Sequence, residues 1–226
     1  GLAVQVRRRM RQGWEGFASY TWSHAIDFNQ GGGADNIFFS EGPRTLNNGD
    51  YRAEKASSQL DQRHRLVVSS TWEAPGTGTG KLHRLLKGWR FSQISTFASS
   101  QPATAVVFVS GVPFPGAAFN TTLNGFGGSP RVPFLPASGL DIDTVARTDA
   151  RLARVIPLKE RLSLHLNLEA FNVLNHVSNT AVNTLAYEAK GGVLRPMPGL
   201  GQGVESQGYP DGTNARRLQI SMRLIW

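Results

Sequence analysis

The chain has no cysteine, which removes a disulfide framework and any Cys-based zinc site. It also has no apolar run near the roughly 18–20 residues that a membrane-spanning helix needs. A membrane chain of this kind has to cross with strands, because only helices and closed barrels pair every backbone group in lipid. Charged residues make up only 18% of the 226 residues, below the roughly 25–35% of a well-solvated surface. Acidic residues are the scarcer sign, with 16 Asp and Glu against 24 Lys and Arg, a formal charge of +8. That excess points to a polyanionic partner, either nucleic acid or lipopolysaccharide phosphate. The first residues, GLAVQVRRRM, have no initiator Met and no signal-peptide pattern. They begin within an alternating segment, so the expectation is the C-terminal piece of a longer protein.

What the chain does have is alternation. In the stretch from Leu218 to Trp226, Leu218, Ile220, Met222, Leu224 and Trp226 share one face of an extended strand. Gln219, Ser221 and Arg223 share the other, with Ile225 as the one apolar intruder. Period two marks a strand with different surroundings on its two sides. The same pattern predicts strands over 2–11, 14–23, 61–74, 87–98, 149–158, 162–173 and 218–226. In the first, Leu2, Val4, Val6 and Met10 oppose Gln5, Arg7, Arg9 and Arg11, and Arg8 interrupts the apolar side. In the sixth, Leu162, Leu164, Leu166, Leu168 and Ala170 oppose Ser163, His165, Asn167 and Glu169.

The connections alternate in length. Gln12-Gly13 and Lys159-Glu160 are tight turns, and Pro75 to Gly80 is a moderate one. Long polar loops, rich in Gly, Pro and Asn, fill about 25–60, 99–147 and 174–214, with a short strand expected at 105–109. Compact soluble domains seldom carry three such loops. Short turns at one end and long loops at the other are the pattern of an outer-membrane barrel, with periplasmic turns and extracellular loops. On that assignment Trp14, Trp72, Trp89 and Trp226 fall at the periplasmic ends of their strands. Tyr20 and Trp22 fall at the extracellular end, giving two aromatic girdles. The fold class expected is therefore all-β, an antiparallel transmembrane β-barrel. These seven strands alone should form a curved open sheet with an exposed apolar outer face. A two-sheet sandwich burying Leu162, Leu164, Leu166 and Leu168 would contradict this reading.

Chemical motifs are weak. Gly76-Thr-Gly-Thr-Gly-Lys81 fails as a phosphate loop, since Pro75 takes the first glycine position and Leu82 replaces Ser/Thr. Gly199-Leu-Gly-Gln-Gly203 lacks the last glycine of a dinucleotide fingerprint and its strand–helix context. The five histidines have no metal-ligand spacing, and His64 between Arg63 and Arg65 reads as a surface or lumen residue. Asp141, Asp143 and Asp149 are too few for a calcium loop. Asn120-Thr-Thr122 matches a glycosylation acceptor without meaning in a bacterial outer membrane. The Arg7, Arg8, Arg9 and Arg11 cluster sits on an alternating strand, so it suits a lumen wall or periplasmic rim better than nucleic acid. No nucleophile–base pair stands out. No catalytic residue, cofactor or metal is expected, and the chain is read as a non-enzyme.

Several strings resemble the C-terminal barrel of TonB-dependent outer-membrane receptors. These are YTWSHAID (20–27), DQRHRLVVSSTWE (61–73), LKGWRFSQISTFASSQPAT (86–104), ERLSLHLNLEAFNVLNH (160–176) and the terminal RRLQISMRLIW. They are most similar to the Oar-like type found in acidobacteria, which often carries a carboxypeptidase-regulatory-like domain. The AFNVLNH segment and the aromatic terminus are the most specific pieces. The resemblance implies a 22-stranded barrel around a plug, of which this chain is about the last third, with plug and TonB box upstream of Gly1. It implies a transporter for an extracellular ligand, energised by the TonB complex. It also implies contact with outer-membrane lipid and lipopolysaccharide, and with the barrel-assembly machinery through Leu218, Ile220, Met222, Leu224 and Trp226. Arg65, Gln93, His165, Asn167 and Glu169 are the lumen-facing candidates. Nucleic acid is not an expected partner. Two further readings remain, an outer-membrane adhesin or surface-structural barrel without active uptake, and a soluble basic all-β binding module that needs no detergent.

Overall fold

The alternating segments are all extended strands. The computed structural model describes residues 1–28, 46, 50–74, 80, 86–110, 131–204 and 214–226. In chain order these form β1 (Leu2–Arg11), β2 (Trp14–Trp22), β3 (Ile26–Asp27), a 3-10 turn at Tyr51–Glu54, and β4 (Ala56–Ser57). There follow β5 (His64–Glu73), β6 (Trp89–Ala98), β7 (Pro102–Ala103), β8 (Val106–Ser110) and β9 (Leu140–Asp141). The last five are β10 (Val145–Lys159), β11 (Leu162–Phe171), β12 (Leu185–Lys190), β13 (Val193–Pro196) and β14 (Arg217–Ile225). Among the described residues no helix is long and apolar enough to cross a membrane, which says nothing of crossing by strands.

Seven of these strands make one antiparallel sheet in the order β1-β2-β5-β6-β10-β11-β14. Each long strand lies beside the next long strand in the sequence, a meander without crossovers. β11 shows why pattern outweighs propensity. Its leucines favour helix on intrinsic grounds, but alternation with Ser163, His165, Asn167 and Glu169 would spread them around a helix. Only an extended chain puts them on one side.

The short turns explain themselves locally. Gln12 (φ 55°) and Gly13 (φ 76°) are both left-handed, as a two-residue hairpin turn requires. A Cβ on Gly13 would strike the Glu73 carbonyl, and the Glu73 amide donates to the Gly13 carbonyl at 2.7 Å. The first hairpin is thereby docked on β5. The second tight turn falls at Glu160-Arg161, one residue later than expected, because a register irregularity between Pro157 and Lys159 extends β10. β10 also starts earlier than the sequence indicated, at Val145. The Pro75–Gly80 connection lies outside the described residues except for Gly80.

The long connections are not featureless loops. β8, as expected near 105–109, pairs in parallel with β12, and β12 pairs antiparallel with β13. The hairpin Leu185–Lys190 to Val193–Pro196 was not legible as strands in the sequence. Together they form a three-stranded sheet, β13-β12-β8, from two different long connections. Its core is made of small residues: Ala105, Val107, Val109, Val132, Ala186 and Ala189, with Leu135, Leu140 and Tyr187 packed against them.

Candidate functional site

Register sorts the main sheet into two faces. Paired residues share a face. Leu2 opposes Trp22, Val4 opposes Tyr20 and Val6 opposes Ala18. Tyr20 opposes Leu66 and Ala18 opposes Val68, and at the far edge Leu164, Leu166 and Leu168 oppose Leu224, Met222 and Ile220. This apolar face runs across all seven strands. It is uncovered: Ile220 is 80% exposed and Leu218 71%. Exposure on that scale marks a surface built for a partner or a membrane. It speaks against the two-sheet sandwich, since among the described residues no second layer lies on the Leu164–Leu168 row.

The opposite face is polar and mostly paired. Arg90 forms an ion pair with Glu73 across β5 and β6. Arg151 reaches Glu169 at 3.5 Å and donates to Asn167 Oδ1 at 3.0 Å. Asn167 Nδ2 passes the chain on to Ser221 Oγ at 3.1 Å. A cleft of about 510 Å³ opens between Arg90, Arg151, His165 and Asn167.

Aromatic residues mark the two ends. Trp14 and Trp89 are the first residues of β2 and β6, immediately after short connections, and Trp14 pairs with Trp72 and Trp72 with Phe91. Trp226 lies just past the end of β14 at the same end and is 88% exposed. At the long-loop end Tyr20 Oη meets His64 Nδ1 at 2.9 Å with the rings stacked.

Above the long-loop end, the connections 23–63, 99–144 and 172–216 are tied together by buried polar groups. Glu54, 2% exposed, takes Nε of Arg131 on Oε2 at 2.9 Å and Nη2 on Oε1 at 3.1 Å. Arg131 Nη1 donates to the Leu135 carbonyl at 2.8 Å. A second clamp sits where β11 ends. Asn172, also 2% exposed, has φ 50° and donates through Nδ2 to the carbonyls of Asn214 (2.8 Å) and His176 (3.0 Å). Its amide donates to Asp149 Oδ1 at 2.8 Å, and Asp149 also holds Arg147. Asn214 Nδ2 donates to Asn179 Oδ1 at 3.0 Å, and Asn179 in turn donates to Asp143. The result is a continuous run of hydrogen bonds from β10 to the start of β14.

Residues 1–112 match the family model described as an outer membrane beta barrel domain. The chain is an outer-membrane β-barrel protein. No curated protein and no solved structure matches it. The matched part of the barrel chain takes in β1, β2, β5 and β6, and the unmatched part adds β10, β11 and β14 to the same sheet in the same antiparallel order.

The barrel geometry places the sequence candidates as follows. Arg65, His165, Asn167 and Glu169 stand on the polar face. Gln93 does not: it opposes Ser70 and Ala150, on the apolar face with Phe91 and Phe97. Parity in β6 forces this, and the amide is satisfied sideways, by Ser70 Oγ at 3.3 Å and Ser95 Oγ at 2.8 Å. His64 is on the apolar face too, beside Tyr20 rather than facing inward. Leu218, Ile220, Met222 and Leu224 share the apolar face of β14, the edge strand. Asp143 and Asp149 spend their carboxylates on the clamp. Gly199 (φ 81°) and Gly201 (φ 75°) are turn glycines, and Gly203 lies so close to Asn179 that a Cβ would collide with its amide. Gly76–Lys81, apart from Gly80, and Asn120–Thr122 lie outside the described residues. The buried Glu54–Arg131 pair was missed, because nothing local signals a contact between positions so distant in sequence.

Proposed function

We propose that this chain supplies part of the wall and extracellular loops of a TonB-dependent outer-membrane transporter of the Oar-like type, with a non-catalytic role. The observation that carries this reading is the two-faced sheet. One side is mainly apolar across all seven strands, its central polar groups, Ser70, Gln93, Ser95 and Thr148, hydrogen-bonded to one another, while the other is an arginine-rich polar wall with an open cleft. An apolar outer band around a polar interior is how a barrel meets lipid and encloses a water-filled or plugged lumen. On this reading the short turns face the periplasm, and the connections 23–63, 99–144 and 172–216 form the surface that an extracellular ligand meets. β1 and β14 are sheet edges here. In lipid their backbone groups require further strands, which a 22-stranded wall around a plug supplies. Lipid and lipopolysaccharide contact the apolar face, and the barrel-assembly machinery acts on β14.

The test uses the full-length protein purified from outer membranes. Retention of the periplasmic domain of TonB, together with a plug domain encoded upstream of the Gly1 codon, supports the transporter. A complete barrel that neither encodes a plug nor retains TonB is instead an adhesin or surface-structural barrel. Orientation is read separately. The chain has no cysteine, so Glu160→Cys, compared with the unsubstituted protein, reports a thiol placed in a short turn. A membrane-impermeant maleimide should label it only after the outer membrane is opened.

A further inference from the structure

Three arginines pair onto the apolar face, Arg8, Arg154 and, past the register shift that closes the first hairpin, Arg11 opposite Trp14; two of them stack on a tryptophan ring. Arg8 opposes Gly16 and lies with its guanidinium 4.7 Å from the centre of the Trp14 ring. Arg154 opposes Trp89 and lies 5.1 Å from that ring's centre. Each tryptophan is the first residue of a strand leaving a short connection, so both pairs mark the short-turn end of the sheet. The first stack is built in. Trp14 lies flat over Gly16, where a Cβ would sit 2.9 Å from the Trp14 ring, and only glycine leaves the indole room to reach Arg8. No register-paired position on the apolar face of the described strands carries a carboxylate: Glu15, Glu73, Asp149 and Glu169 all fall on the polar side. Neither stacked arginine has an ion-pair partner among the described residues. A cation on a hydrocarbon-facing wall needs a counter-charge or an escape to the interface.

We propose that Arg8–Trp14 and Arg154–Trp89 are two headgroup stations for anionic phospholipid in the periplasmic leaflet, the guanidinium taking the lipid phosphate and the indole the glycerol level. Charge complementarity chooses the occupant. Guanidinium matches phosphate in a two-point fork, and the ring holds the fork in place by a cation–π contact. Four strand spacings separate β1 from β10, about 19 Å, so the stations take separate lipid molecules. The leaflet rests on the orientation proposed above; the cationic–aromatic pairs themselves do not.

The experiment measures lipid retained by the full-length protein after extraction from vesicles of equal phosphatidylglycerol and phosphatidylethanolamine. Wild type should be enriched in phosphatidylglycerol, and R8Q/R154Q should lose that enrichment, by about fivefold per arginine. R8K/R154K should keep most of it, and R223Q, on the polar face, should change nothing. Equal phosphatidylglycerol retention by R8Q/R154Q and wild type overturns the proposal. A parallel extraction from vesicles containing lipopolysaccharide separates the two sources of phosphate. Arginine-dependent enrichment of lipopolysaccharide over phosphatidylglycerol also overturns the phospholipid assignment. The maleimide experiment on Glu160→Cys shows independently whether orientation was the step that failed.

Discussion

At the scale of single residues, the chain depends on a few buried polar groups that join distant segments. Glu54 and Arg131 are each other's counter-charge in a buried setting. Arg131→Met leaves the buried Glu54 carboxylate without a counter-charge, held among the described residues only by the Leu46 amide at 3.1 Å, an arrangement that costs about 3–5 kcal/mol. The expected outcome is a loosening of the tied connections at the long-loop end, the cap of the sheet: limited proteolysis within 99–144 should accelerate while the strands stay protected. Glu54→Gln combined with Arg131→Met should recover part of the loss, since no lone charge remains. Asn172 tests the second clamp. Its left-handed φ of 50° suits Asn or Gly, so Asn172→Gly removes the side-chain hydrogen bonds and spares the backbone. About 2–3 kcal/mol of local stability should go with them. Hydrogen exchange at the start of β14 and at 176–179 would show it. Asn172 lies within AFNVLNH, the segment whose sequence was most specific, and the clamp gives a physical reason for that residue type there.

At the scale of elements, β11 states the rule of the sheet: one step along the strand crosses from one solvent to the other. Leu166 and Asn167 are neighbours with opposite surroundings. Leu168→Arg places a charge on the apolar face between Leu152 and Ile220, two residues farther from the short turn than Leu166, the partner of Arg154, and should cost about 2–4 kcal/mol. Asn167→Asp, which still accepts from Arg151 on the solvated side, should be close to neutral. The denaturant midpoint of the full-length protein in vesicles, measured for both variants, checks the assignment of faces. Equal effects would mean that the two faces are not distinguished by lipid. Parity also sets the side of Gln93. Its polarity alone suggests the lumen, but Phe91 and Phe97 fix it on the apolar face, and the Ser70–Gln93–Ser95–Thr148 hydrogen bonds let a polar side chain stay there.

At the scale of the whole molecule, the wall and the cap follow different logics. The cap has its own small core, shared by β8 from one connection and β12 from another. Val109→Asp puts an uncompensated charge into that core, where Val109 is 1% exposed. Both connections should then become protease-sensitive together, in 99–144 and in 172–216, with the seven-stranded sheet intact. Cleavage confined to one of them would mean that the loops do not fold as a unit. The wall was legible in the sequence, because each strand announces its two faces within its own ten or so residues, and the turn glycines and asparagines punctuate them. All seven main strands, their order and the split between short and long connections follow from that local signal. The loop sheet, the β12–β13 hairpin, the Glu54–Arg131 pair and the asparagine clamp do not. They join residues that are far apart in the chain and carry no shared period, so only the tertiary structure, by bringing three connections to one end of the sheet, decides that they meet.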